Sequence, residues 1–279
     1  MPRTIPACLF LALLAGRDAS AEERQLYNVE VLDAQGVETR LAAFYRVSGE
    51  DRFEGYRGSA RIEIPYARMR EFRLLPPAQP GGRMRAEFLL RTGSTVQATF
   101  DEREGELLFA GYAPFGRVRL FFRDMRRLRI LGRTTRDDLP EFGAPGPGVD
   151  ARAIDREGVE TELVGLHRLA GETVLSGIRG SASVEVPLRI VRTIDLRDKG
   201  PRRGFVAYVV LRGGAAVELR VPSHERTTVF GGEAEFGAWR AALGDLRGLV
   251  IHRTTPPARN LDPVLAAEGE AKAEAGPPR

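Results

Sequence analysis

Ala60, Ile62 and Ile64 alternate with Arg61 and Glu63. This places apolar side chains on one face and charges on the other, the period-two pattern of a half-buried β-strand. Pro65 ends that strand, because proline has no N–H for a ladder hydrogen bond. Upstream, Asn28 to Leu32 alternates in the same way, and Asp33-Ala34-Gln35-Gly36 reads as a turn. Aspartate caps its own turn and glycine suits the fourth position. Val37 to Phe44 is the returning strand, and Arg52 to Tyr56 is a third that Gly58 breaks. Downstream, Met69, Phe72 and Leu74 are spaced by three and then by two. That spacing predicts one tight 3₁₀-type turn and then a short closing strand.

The pattern recurs. Residues 59–64 (SARIEI) and 181–186 (SASVEV) lie 122 positions apart, and the match runs without a gap from Asp33 against Asp155 to Leu74 against Leu196. Fainter copies sit inside each half: Phe53, Tyr56, Ile62 and Met69 precede Phe109, Tyr112, Val118 and Met125 by 56 positions, and Leu175, Val184 and Val191 precede Phe230, Trp239 and Leu246 by 55. Repetition at a fixed period means one structural unit used several times. Thr92-Gly93 and Gly213-Gly214 mark tight hairpins in the second and fourth copies, where glycine supplies positive φ. The expected fold is all-β: four tandem small five-stranded β-units arranged as two duplicated domains. The first domain covers 22–135, with units at 27–75 and 84–131. The second covers 149–253, with units at 149–197 and 204–252. A Pro/Gly-rich linker at 138–148 separates them. A unit of about 47 residues is marginal alone, since domains of about 60 residues already bury only about 60% of their unfolded surface. Units one and two are therefore expected to share a core, and likewise three and four, as two abutting barrels or as one merged sandwich.

A strand, a 3₁₀ turn and a short closing strand resemble the ending of the Sm-like and Src-homology-type small β-barrels. The stretches EFLLRTGSTV (87–96) and APFGRVRLFFRDMRRLRI (113–130) are also similar to tandem small-barrel repeats of uncharacterised bacterial envelope proteins. The resemblance implies a fold and no particular activity.

The remaining features concern location and chemistry. Arg3, the apolar run Ala7–Ala15 and Ala19-Ser20-Ala21 form a secretory-signal pattern over residues 1–21, which predicts a periplasmic or secreted protein. No later stretch is long and apolar enough for a membrane helix. Residues 254–279 are Ala/Glu/Pro-rich and read as a disordered tail. Cys8 is the only cysteine and lies inside the signal, which removes disulfides, thiol catalysis and Cys-ligated zinc. Net charge is +4, and all but Lys199 and Lys272 of the 42 basic residues are arginine.

Candidate chemistry is sparse. His167, His224 and His252 show no metal-ligand spacing, so no metal or other cofactor is expected. Ser223-His224-Glu225 has triad residue types, but sequence neighbours rarely reach triad geometry. Glu63 and Glu185 are paired carboxylates on solvent faces. The turn Arg57-Gly58-Ser59-Ala60 recurs as Arg179-Gly180-Ser181-Ala182. It reads either as a nest of backbone N–H groups for an anion beside an arginine fork, or as a structural turn. Residues 83–133, around the second unit, carry eleven arginines against six acids. Arg117 and Arg119 share one strand face and Arg127 and Arg129 another, a basic stripe for anionic lipid or polysaccharide. Nucleic acid is not an expected partner for an exported chain. The expected function is a non-catalytic binding or scaffold protein of the bacterial cell envelope, contacting an envelope protein or anionic groups. The alternative is an envelope hydrolase or metal-dependent enzyme with an interdomain site.

Overall fold

The computed structural model describes residues 25–76, 83–140, 148–170, 173–198, 200 and 204–254. The expected signal, residues 141–147 of the linker and the tail from 255 lie outside these residues. The described chain is all-β. Its first half contains β1 (Tyr27–Asp33), β2 (Glu38–Arg46), β3 (Arg52–Arg57), β4 (Ala60–Pro65), β5 (Met69–Leu75), β6 (Met84–Leu90), β7 (Thr95–Phe100), β8 (Leu108–Ala113), β9 (Gly116–Phe121) and β10 (Met125–Arg133). The second contains β11 (Val149–Asp155), β12 (Glu160–Arg168), β13 (Val174–Arg179), β14 (Ala182–Pro187), β15 (Val191–Asp198), β16 (Phe205–Leu211), β17 (Ala216–Val221), β18 (Val229–Ala234), β19 (Gly237–Ala242) and β20 (Leu246–Thr254). A short helix α1 (Glu102–Gly105) joins β7 to β8, and its Asp101 and Glu104 form a capping box.

Sequence-adjacent quintets do not close into four separate five-stranded units. Hydrogen bonding orders the first half β4-β3-β7-β6-β5-β10-β1-β2-β8-β9. The second runs β14-β13-β17-β16-β15-β20-β11-β12-β18-β19. Strands β1 and β2 therefore lie among β8, β9 and β10, while β3, β4 and β5 lie with β6 and β7. β2 pairs with β8 beyond an irregularity at Ala43, which has positive φ, and β3 pairs with β7, so neighbours come from both quintets. The halves join where β9 pairs with β14, giving one open ribbon of 20 antiparallel strands. Among the described residues no ladder joins β4 to β9 or β14 to β19, so neither half closes into a barrel.

The expected shared core is present. Phe53 on β3 lies 5.4 Å from Phe72, 5.5 Å from Phe88 and 5.6 Å from Phe109, ring centre to ring centre, and Phe122 packs on the same ring. These rings come from both quintets of the first half. Four of the five matching second-half positions are aliphatic, Leu175, Ile194, Val209 and Leu243, whereas Phe109 is matched by Phe230; all five are buried.

The closing strands differ in detail from expectation. The 3₁₀ turn precedes Met69, at Tyr66–Arg68, and the spacing of three between Met69 and Phe72 is a β-bulge. The register shifts between Met69 and Glu71, so one residue is added and both apolar side chains face inward. The same shift recurs opposite Met125, Val191 and Leu246. Gly93 and Gly214 do take positive φ, but each closes a turn begun three residues earlier, at Leu90 and Leu211, so the hairpin loops are longer than two residues.

Candidate functional site

The junction of the halves is the most elaborated polar site. In the β9–β14 ladder Val118 faces Val184, with Arg119 opposite Ser183 and Arg117 opposite Glu185. Arg119 reaches Glu185 diagonally at 3.2 Å. Where the β13–β14 hairpin tip meets the β1–β2 turn, Asp33 accepts the backbone N–H of Ser181 at 2.7 Å and those of Gln35 and Val37 at 2.9 and 2.8 Å. Asp33 is buried, so these bonds form in low dielectric, where charge-assisted bonds are strong. Arg179 donates to Thr39 Oγ1 at 2.6 Å and to the Glu38 carbonyl, and its guanidinium covers the Phe115 ring at 5.5 Å. Gly116 allows the backbones to close: a Cβ there would overlap the Glu185 carbonyl.

The Arg-Gly-Ser-Ala turn thus does receive an anion in the second half, and the anion is the Asp33 carboxylate of the same chain. The identical turn in the first half, at Arg57 to Ala60, is exposed. Arg57 lines an open groove of about 500 Å³ with Tyr56, Arg85 and Gln97.

The two arginine pairs occupy different places. Arg117 and Arg119 are junction residues, and Arg117 also donates to the Tyr45 hydroxyl at 3.0 Å. Burial opposes the charge of Arg117, and the Tyr45 contact and nearby Glu185 outweigh it. Arg127 and Arg129 lie on β10, in the ladder between β1 and β5. Arg127 bridges Glu38 and Glu30, and Arg129 bridges Glu30 and Glu71. Burial would push the Glu71 carboxyl up, but hydrogen bonds from Arg73 and Arg129 hold it below its ordinary value. Sequence periodicity gave the arginines their faces but did not reveal the glutamates on neighbouring strands.

The histidines are scattered. His167 Nδ1 lies 2.8 Å from the Gly165 carbonyl, and His224 sits with Ser223 and Glu225 on a 3₁₀ turn between β17 and β18. His252 Nε2 lies 3.1 Å from Glu162 in an open groove of about 610 Å³ that Asp150 and Glu233 also line. That groove is contained in the second half. Among the described residues no three His, Asp or Glu side chains converge in a metal-holding arrangement. No helix among them is long and apolar enough to cross a membrane.

The remaining feature is the pair of strands at the ends of the ribbon. Among the described residues β4 has a ladder partner only in β3, and β19 only in β18. The described chain is thus an all-β ribbon with two edges that no described strand pairs. Comparison with known protein families, curated proteins and solved structures returns no match.

Proposed function

We propose that this protein is a non-catalytic scaffold of the cell envelope whose recognition elements are the free edges β4 and β19. The observation that carries this is the open ribbon itself. Among the described residues each end presents a row of backbone N–H and C=O groups without a ladder partner, and a partner strand satisfies such a row by β-augmentation. The exported location rests on the sequence alone. The case for anionic partners is weaker, because the two arginine pairs lie on strands that are not neighbours and Arg119, Arg127 and Arg129 are each engaged by carboxylates of the chain.

Photo-crosslinking in cells tests the reading. A benzophenone side chain is placed at Ile62 on β4, at Trp239 on β19, or at Arg126, an exposed site in the interior of the ribbon. Adducts from the two edge sites and none from Arg126 support edge recognition. Adducts from Arg126 alone, or no adduct from either edge, overturn it.

A further inference from the structure

The internal junction is a template for what the free ends bind. Strand β4 stands in the first half where β14 stands in the second, with identical hairpin register: Phe53 faces Ile64 as Leu175 faces Val186. Strand β19 stands in the second half where β9 stands in the first: Gly111 faces Val118 as Gly232 faces Trp239. The chain already joins β9 to β14. Its two free ends, β19 and β4, are therefore the two sides of the same joint, left open.

The residues that make the joint are present at both open ends. Asp33, Val37, Glu38 and Thr39 correspond to Asp155, Val159, Glu160 and Thr161, in the same β1–β2 and β11–β12 register. Arg179, Ser181 and Glu185 correspond to Arg57, Ser59 and Glu63, and Phe115, Gly116 and Arg119 to Phe236, Gly237 and Arg240. All ten residue types are the same in the two places; the ladder pair Val118/Val184 becomes Trp239/Ile62.

What the junction covers, the ends leave bare. Phe115 lies under Arg179, whereas Phe236 is 76% exposed. Val37 packs beside Gly180, whereas Val159 is 58% exposed. Ala182 is buried and Ala60 is exposed. A Cβ on Gly116 or Gly180 would meet Glu185 or Asp33, whereas one on Gly237 or Gly58 meets nothing within 4 Å. Asp155 holds its own turn through Val159 N–H at 2.8 Å, as Asp33 does through Val37, and its described bonds include no counterpart to the one from Ser181.

We propose that the protein assembles head to tail with a second copy of itself, β19 of one chain pairing antiparallel with β4 of the next. This rests on the edge reading above and names its partner. In the template register Ile62 of one copy faces Trp239 of the other, Glu63 pairs diagonally with Arg240, Arg57 covers Phe236 and donates to Thr161, and Ser59 N–H binds Asp155. Arg61 falls opposite Arg240 in this register, and its charge is taken up by Glu54 on β3. The Tyr45–Arg117 contact has no counterpart, because His167 and Ala238 stand there. Each copy uses one face of each kind, so the contact is heterologous and adds copies until a ring closes or a filament grows.

Sedimentation of the full chain over a range of concentrations tests this, with two surface variants. R57A/E63K spoils the β4 end, and D155A/F236D spoils the β19 end. The wild type is expected to form species larger than a dimer, reversibly with concentration. Each variant alone is expected to be monomeric with unchanged circular dichroism, and an equimolar mixture to stop at a heterodimer. A wild type that stays monomeric overturns the proposal, as does either variant that still self-associates. The edge reading fails separately: edge adducts to another protein, with a monomeric wild type, leave it standing, and the absence of any edge adduct removes it.

Discussion

Ser181 gives its backbone N–H to the Asp33 carboxylate at 2.7 Å, across 148 positions of sequence and from one half of the ribbon to the other. The same carboxylate organises its own turn through Gln35 and Val37. One buried side chain thus fixes both a hairpin and the seam between the halves.

Removing that carboxylate strands three donors. D33A is expected to cost about 2–3 kcal/mol, the usual range when a buried charged acceptor is lost. Urea unfolding of dilute protein measures it. D155A removes the equivalent residue where no second hairpin is docked, and its cost under the same conditions is expected to be smaller. Equal costs would mean that the Ser181 contact contributes nothing to the seam.

The aromatic core of the first half has a built-in comparison in the second. Phe53 touches four other phenylalanine rings, and its counterpart is Leu175. F53A is expected to cost about 3–5 kcal/mol and F53L less, because leucine refills part of the volume but forfeits the ring contacts. Thermal unfolding of the two variants gives the order. A variant F53A that melts with the wild type would contradict the packing.

Glu71 links stability to pH. Its folded-state carboxyl is held below the ordinary value, so the unfolded chain binds the proton more readily. Its contribution is complete above the unfolded carboxylate value of about 4.3 and is lost as pH falls through the depressed folded value. Asp198 acts in the same direction, held down chiefly by its bonds to Arg226. The wild type is expected to lose stability below pH ~4.3, and E71Q to lose less over the same interval. Parallel pH profiles would exclude Glu71 as a contributor.

Asp124 has the opposite sign. Burial pushes its carboxyl up, nearby Asp33 adds to this, and Arg123 opposes. Folding therefore disfavours the ionised form. D124N is expected to stabilise the protein at neutral pH and to have no such effect at a pH low enough to protonate both states. Urea midpoints at the two pH values decide it, and destabilisation at neutral pH would show that the carboxylate makes a favourable contact.

Much of this architecture was legible in the chain. Pro65, Gly58 and the Asp33-to-Gly36 turn fall at strand ends as their backbone limits require. The bulge at Met69 was not, because spacing of three looks like a helical turn when the partner strand is unknown. The strand exchange was hidden for a related reason: alternation says which face a residue of β3 occupies and nothing about whether β4, β7 or β2 lies beside it. The short helix α1 did leave a signal in Asp101-x-x-Glu104, which expectation passed over. Among the candidate residues, the two Arg-Gly-Ser-Ala turns were visible as a repeat. Their partner, Asp33, looked like a turn residue alone, since a hydrogen bond across the seam has no periodicity to announce it.

The central claim is that one joint is made within the chain and its two sides are repeated, open, at the ends. Hydrogen exchange followed by mass spectrometry on monomeric protein tests it most directly. Segments 116–121 and 182–187, which pair with each other, are predicted to exchange slowly, while their counterparts 237–242 and 60–65 exchange much faster. Equal protection of all four segments in the monomer would contradict the account.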